Sequence, residues 1–101
     1  MRTLVMKFGG TSVGSQSAIQ QTAKIIQKHK RNWDNLVVVV SAMSGVTDQL
    51  IKSARFAADN RYKEATEVIA EIKENHLDVI QNLIPDEDAR AQVLTVVQKR
   101  L

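Results

Sequence analysis

Lys7-Phe8-Gly9-Gly10-Thr11-Ser12-Val13-Gly14 decides how this chain is read. It follows the short apolar run Leu4-Val5-Met6, so it marks the exit of a β-strand into a glycine-rich turn. Helical spacing begins soon afterwards, between Ser15 and Ile19. A strand, a glycine turn bearing hydroxyls and a helix N-terminus together make an anion site: glycines let backbone amides approach an oxyanion, and the helix end adds partial positive charge. Lys7 places an ammonium at the same edge. The stretch predicts nucleotide-phosphate binding. It is not a Walker A loop, whose lysine follows the last glycine, nor does it supply the G-x-G-x-x-G dinucleotide fingerprint. A Gly-Gly pair after a strand also serves any turn that needs positive φ, so these residues alone leave a purely structural role open.

A second segment shifts the balance. Leu36-Val37-Val38-Val39-Val40 is a continuous, mostly β-branched run, the pattern of a strand covered on both faces in a parallel sheet. It leads directly into Ser41-Ala42-Met43-Ser44-Gly45-Val46-Thr47-Asp48, again a hydroxyl-rich turn with a glycine before a helix. Between the strands, Ile19, Ala23, Ile26 and Trp33 fall near one face of an amphipathic stretch. Strand, helix, strand predicts a right-handed βαβ unit with parallel strands whose C-terminal ends share one edge. Ligands of open α/β sheets bind at that edge, so two hydroxyl-and-glycine loops converge on one crevice.

These two segments, Lys7 to Val13 and Val37 to Asp48, resemble in order, spacing and position the paired N-terminal signatures of the aspartate kinase family, within the amino acid kinase superfamily. Glu74-Asn75-His76-Leu77-Asp78-Val79-Ile80 is similar to a helical segment of the same family, and the resemblance runs from Met1 to about Ile84. It implies an amino-acid-kinase-like α/β fold of which this chain carries an incomplete part: a βαβ phosphate-binding portion over residues 1–48 and a helical portion over 49–101. It implies that ATP, with Mg²⁺ held through the nucleotide phosphates, phosphorylates the side-chain carboxylate of L-aspartate. Carried over by position, Lys7 is the catalytic lysine on the ATP phosphates. Phe8, Gly9 and Gly10 complete the ATP signature, Ser12 is a hydroxyl beside the phosphates, Ser41 faces nucleotide and substrate, and Thr47 holds the aspartate. Thr11, Ser44 and Gly45 shape the loops. No metal ligand is implied within this chain.

The chemistry of the residues is consistent with those roles. Phosphoryl transfer asks the protein for positioning and charge neutralisation rather than covalent work. A carboxylate acceptor is already deprotonated at neutral pH and needs no general base. A lysine, bare amides and a few hydroxyls suffice.

With 101 residues the chain is long enough for one domain but short for a nucleotide kinase, and two strands do not usually stand alone as a sheet. The resemblance places the adenine pocket, further substrate contacts and regulatory modules in later segments, so the chain reads as an N-terminal fragment, inactive by itself. Beyond Thr47 the spacing predicts helices. Leu50, Ile51, Ala54, Ala57 and Ala58 form a stripe, and Asp59-Asn60-Arg61 makes a break. Tyr62, Ala65, Ile69, Ile72, His76, Val79 and Leu83 then trace the seam of a long helix. Pro85 ends it, Asp86-Glu87-Asp88 start a last helix, and that helix is expected to bury Ala89, Val93, Val96 and Leu101. The open sheet edge and apolar helix faces predict self-association, and a homo-oligomer.

Other features read as structural. His76 falls on the apolar seam without neighbours at metal spacing, and His29 sits in the basic helix end Lys28-His29-Lys30-Arg31. The net charge of +3 is spread over several helices with only four aromatic residues (one Trp, one Tyr, two Phe), which argues against a nucleic-acid surface. With no cysteine there is neither a disulfide framework nor a thiolate site, and no segment has the length of a signal peptide or membrane helix. A cytoplasmic protein is expected. Two other readings stay open: a sibling kinase with another carboxylate, carbamate or nucleotide acceptor, and a non-catalytic helical interaction module.

Overall fold

The structure, a computed structural model, describes all residues from Met1 to Leu101. Two strands and four helices follow in the order β1 (Thr3–Phe8), α1 (Gln16–Lys30), β2 (Asn35–Val40), α2 (Val46–Ala58), α3 (Tyr62–Leu83) and α4 (Glu87–Arg100). The chain divides into two compact units, Met1–Ser44 and Gly45–Leu101. The first is an α/β unit and the second is all helix.

In the α/β unit β1 and β2 pair in parallel, with Thr3 beside Asn35, Lys7 beside Val39 and Phe8 beside Val40. The N-terminal ends are tied by a polar knot. The Arg2 carbonyl accepts from the amides of Asp34 and Asn35 (both 3.1 Å), and the Arg2 amide donates to Asp34 Oδ2 at 2.7 Å. The Arg2 guanidinium lies 4.4 Å from the centre of the Trp33 ring. Trp33 was expected on the apolar face of the intervening helix; it lies beyond that helix, because α1 ends at Lys30 and the tryptophan stacks under a cation instead. α1 starts where its cap allows: Ser15 is extended, and its Oγ accepts from the Ala18 amide at 3.2 Å. Lys28, His29 and Lys30 in its last turn complement the helix dipole.

Residues in register share a face of the sheet. Leu4, Met6, Phe8, Leu36, Val38 and Val40 lie on one side, while Thr3, Val5, Lys7, Asn35, Val37 and Val39 lie on the other. α1 lies over the first: Ile19, Ala23 and Ile26 line a groove of about 290 Å³ together with Val13, Val40, Ser41 and Met43. β2 was expected to be covered on both faces, yet Val37 to Val40 are all exposed. Its composition suits a two-sided cover that these 101 residues do not supply.

The helical unit is organised by α3. Ala65, Val68, Ile72 and Ile80 are its buried residues, packed against α2 and α4. The expected seam was right at Ala65 and Ile72 and wrong at Tyr62 and Ile69, which face solvent, while Val68 and Ile80, outside it, lie inside. Similarly, α2 buries Val46 and Ser53 while Leu50 and Ile51 are exposed, and α4 buries nothing, leaving Ala89, Val96 and the following Leu101 in solvent. Spacing supplied the period of these helices; the neighbours set which side of an amphipathic cylinder is covered. His76 is half-buried, and its Nδ1–H donates to the Ile72 carbonyl at 2.6 Å.

The helix ends follow local chemistry. Gly45 at φ +80° is the N-cap of α2, and Asn60 at φ 61° turns the chain between α2 and α3. Arg61 lies 4.8 Å over the Phe56 ring and 3.3 Å from Glu64. The backbone amide at the start of α3, and then Arg61, hold the exposed Glu64 carboxyl below its usual range. Pro85 stops α3, and Asp86 accepts from the Ala89 amide at 2.8 Å to start α4.

The phase of α3 has a direct test. Ile72 is 3% exposed and Ile69 is 47% exposed. In urea unfolding followed by helical circular dichroism, Ile72→Ala is expected to cost about 2–5 kcal/mol, and Ile69→Ala under about 1 kcal/mol. Equal losses would restore the seam read from spacing.

Candidate active site

Parallel pairing makes both strands end at the same edge. The Ser41 amide donates to the Phe8 carbonyl at 3.1 Å, extending the ladder one step past the strands and placing Ser41 alongside the start of the glycine loop. The loop then turns on itself, its Ser12 amide bonded to the Gly9 carbonyl at 3.0 Å. Farther on, the Ser44 amide reaches the Gly14 carbonyl at 3.4 Å. The two hydroxyl-bearing loops thus meet at one end of the α/β unit, and Lys7, Phe8, Gly9, Gly10, Ser12 and Ser41 belong to that end. Thr47 sits, exposed, in the first turn of α2 in the helical unit.

Each residue has a definite environment. Lys7 is exposed, on the sheet face opposite α1, and takes part in no ion pair. Phe8 points to the α1 side and is half-buried, so its side chain packs while its carbonyl holds Ser41. Ser12 is half-buried and Ser41 exposed. Gly9 and Gly10 differ from most turn glycines. Neither has positive φ, and a β-carbon built on either meets nothing within 4 Å. The steric reason for glycine is absent at both, and a side chain there would enter open space.

Two residues that sequence reasoning passed over brace this loop. Thr22 is 5% exposed, and its hydroxyl donates to the Ser12 carbonyl at 2.6 Å, fastening the loop to α1. A hydroxyl inside the apolar stripe of Ile19, Ala23 and Ile26 was the available signal. Gly14 is the glycine with a steric reason: a β-carbon there would lie 2.5 Å from Ser44 Oγ and 2.6 Å from the Gly10 carbonyl oxygen. The loops approach as closely as they do because position 14 has no side chain.

Residues 2–101 match the amino acid kinase family over essentially the whole chain. The chain belongs to that family. Among known members, it is 48% identical over 69 residues to a protein named aspartate kinase from Pseudomonas putida, covering 68% of this chain and 17% of that protein. It is 41% identical over 80 residues to an aspartokinase from Chlamydia muridarum, covering 79% of this chain and 16% of the relative. Aspartokinase 2 of Bacillus subtilis is 41% identical over 69 residues, 68% of this chain and 17% of the relative. The chain therefore spans about a sixth of the length of these kinases. The resemblance read from Lys7 to Val13 and from Val37 to Asp48 is thereby supported, as is an α/β fold with a parallel sheet. No helix is long and apolar enough to cross a membrane.

Thr22→Val keeps the shape of the buried side chain and removes its bond to Ser12. It is expected to lower stability by about 1 kcal/mol in denaturant unfolding, with faster amide exchange at Ser12 and Val13. Unchanged exchange there would mean that the loop is held without Thr22.

Proposed function

We propose that this member of the amino acid kinase family is the N-terminal part of an aspartate kinase, and that the loops around Lys7 and Ser41 bind ATP phosphates and position the transfer of the γ-phosphoryl group to L-aspartate. The observation that carries this reading is the Gly9–Gly10 pair. Glycine there relieves neither backbone strain nor a clash, and the pair directly follows the strand that carries an unpaired lysine. Such a loop fits phosphate oxygens. The names of the relatives point to aspartate as acceptor.

In this mechanism Lys7 neutralises charge that develops on the transferring group, while the amides of Gly9 and Gly10 and the hydroxyl of Ser12 orient the phosphates. Mg²⁺, carried by the nucleotide phosphates, supplies further charge neutralisation. A side-chain carboxylate oxygen of aspartate attacks the γ-phosphorus, the bond from that phosphorus to the β–γ bridging oxygen breaks, and the products are 4-phospho-L-aspartate and ADP. No proton has to be removed from the acceptor. Ser41 stands between nucleotide and substrate, and Thr47 holds the aspartate. The chain alone is inactive, because it spans a small share of the length of its relatives. The complete enzyme is a cytoplasmic homo-oligomer, with the exposed Leu50, Ile51, Tyr62 and Ile69 of the helical unit available for subunit contact.

The test is ATP-dependent aspartyl hydroxamate formation by a chimaera in which residues 1–101 replace the matching N-terminal segment of the Pseudomonas putida aspartate kinase. Turnover should depend on aspartate, fall about 10²–10³-fold in Lys7→Ala, and be absent from the 101-residue chain. A chimaera that turns over ATP only with another acceptor would assign the loops to a sibling kinase. Indifference to Lys7 would remove the lysine from the site.

A further inference from the structure

Past the strand ends, the two loops meet at Gly14 and Ser44. The Ser44 amide donates to the Gly14 carbonyl at 3.4 Å. A β-carbon at position 14 would lie 2.5 Å from Ser44 Oγ and 2.6 Å from the Gly10 carbonyl oxygen, but 3.5 Å from Ser44 Cβ. The first two separations are repulsive and the third is an ordinary contact. The room at this junction is therefore short by one hydroxyl on the Ser44 side and by a carbonyl on the Gly10 side.

Neither loop is free to swing away. In the first, Thr22 holds the Ser12 carbonyl two residues before Gly14, and Ser15, one residue after it, caps α1 through the Ala18 amide. In the second, the Ser41 amide is tied to the Phe8 carbonyl, and Gly45 at φ +80° is the N-cap of α2. A side chain at position 14 would press on Gly10 in one loop and on Ser44 in the other at once. Gly14 has no positive φ, so alanine there strains no backbone angle, and its whole effect falls on the spacing of the loops.

We propose that Gly14 and Ser44 are a matched pair of positioning residues, whose small combined volume sets the distance between the phosphates on the first loop and the acceptor faced by Ser41. The inference rests on the aspartate kinase reading, and it assigns a role in the transfer step to two residues that bind neither ligand. Attack on the γ-phosphorus needs the reacting atoms about 3–3.5 Å apart, and a misplacement of about 1 Å costs about 10²-fold in rate. Gly9, Gly10, Ser12 and Ser41 all remain when the junction is widened by a methyl group, so each ligand keeps its contacts. What is lost is their alignment, which appears in kcat rather than in KM.

The test uses the Pseudomonas chimaera carrying Gly14→Ala, Ser44→Ala or both, with turnover compared below the melting transition of every variant. Gly14→Ala is expected to lower kcat about 10–100-fold, with KM for ATP and for aspartate within about 3-fold of the parent. Ser44→Ala alone is expected to stay within about 3-fold in kcat, and in the double variant it should recover about 5-fold or more of what Gly14→Ala loses, because the methyl then occupies the space of the hydroxyl. Full kcat in folded Gly14→Ala would overturn the proposal, leaving Gly14 a purely structural residue. A loss confined to KM, or a double variant no faster than Gly14→Ala, would overturn it as well. If Gly14→Ala alone does not fold, the double variant carries the test: it must fold and turn over, and its failure to do so ends the pairing. The ratios are read with whatever acceptor the parent chimaera uses, so their failure is distinguishable from failure of aspartate as the acceptor.

Discussion

The parallel register of β1 against β2 is the constraint on which the candidate site depends. With Phe8 beside Val40, the next amide, that of Ser41, bonds back to the Phe8 carbonyl, and the two loops leave the sheet together. Strand side chains alternate, so sliding the chain that carries Lys7 by a single residue would turn the lysine toward α1 and Phe8 into solvent. The polar knot of Arg2, Trp33 and Asp34 pins that register at the opposite end. The edge where the two loops meet is thus held from the opposite end of the strands.

The loops themselves are fastened by small, local contacts. Thr22 ties the first loop to α1, and the missing β-carbon of Gly14 allows it to lie against Ser44. Gly9 and Gly10 do neither of these things. The glycines differ in environment: Gly14 is surrounded, Gly45 holds a backbone angle, and the Gly9–Gly10 pair has neither constraint. In the helical unit the central element is α3, which alone buries four residues, while α4 lies against it without burying any of its own.

Legibility varied with the physics involved. Breaks and starts were readable because they are made by the residues at those positions: Pro85 ends α3, Asp86 to Asp88 start α4, and Asp59 to Arg61 break the chain between α2 and α3. The strands and their parallel order followed from the aliphatic runs and the helix between them. The phase of the helices was readable only in part: Ala65 and Ile72 lie inside as their spacing implied, and Tyr62 and Ile69 do not. In α3, both Ile69 and Ile72 fit an apolar stripe by spacing, and only contact with α2 and α4 separates them. Trp33 was misplaced for a related reason, since its partner is Arg2, distant in sequence. The signature loop was the most legible part of the site because its chemistry is contiguous, whereas Thr22 stands ten positions from the carbonyl it holds.

By itself, then, the amino-acid sequence determined the elements, the order of strand and helix, the two loops that follow the strands and membership of a kinase family. Those properties are written in neighbouring residues and short repeats. The tertiary structure alone decided which helix faces are covered, that Gly14 and Thr22 brace the loop, and that Lys7 shares an uncovered aliphatic face with Val5, Val37 and Val39. Each of these depends on groups far apart in the chain, and a periodic pattern carries no information about what stands opposite it.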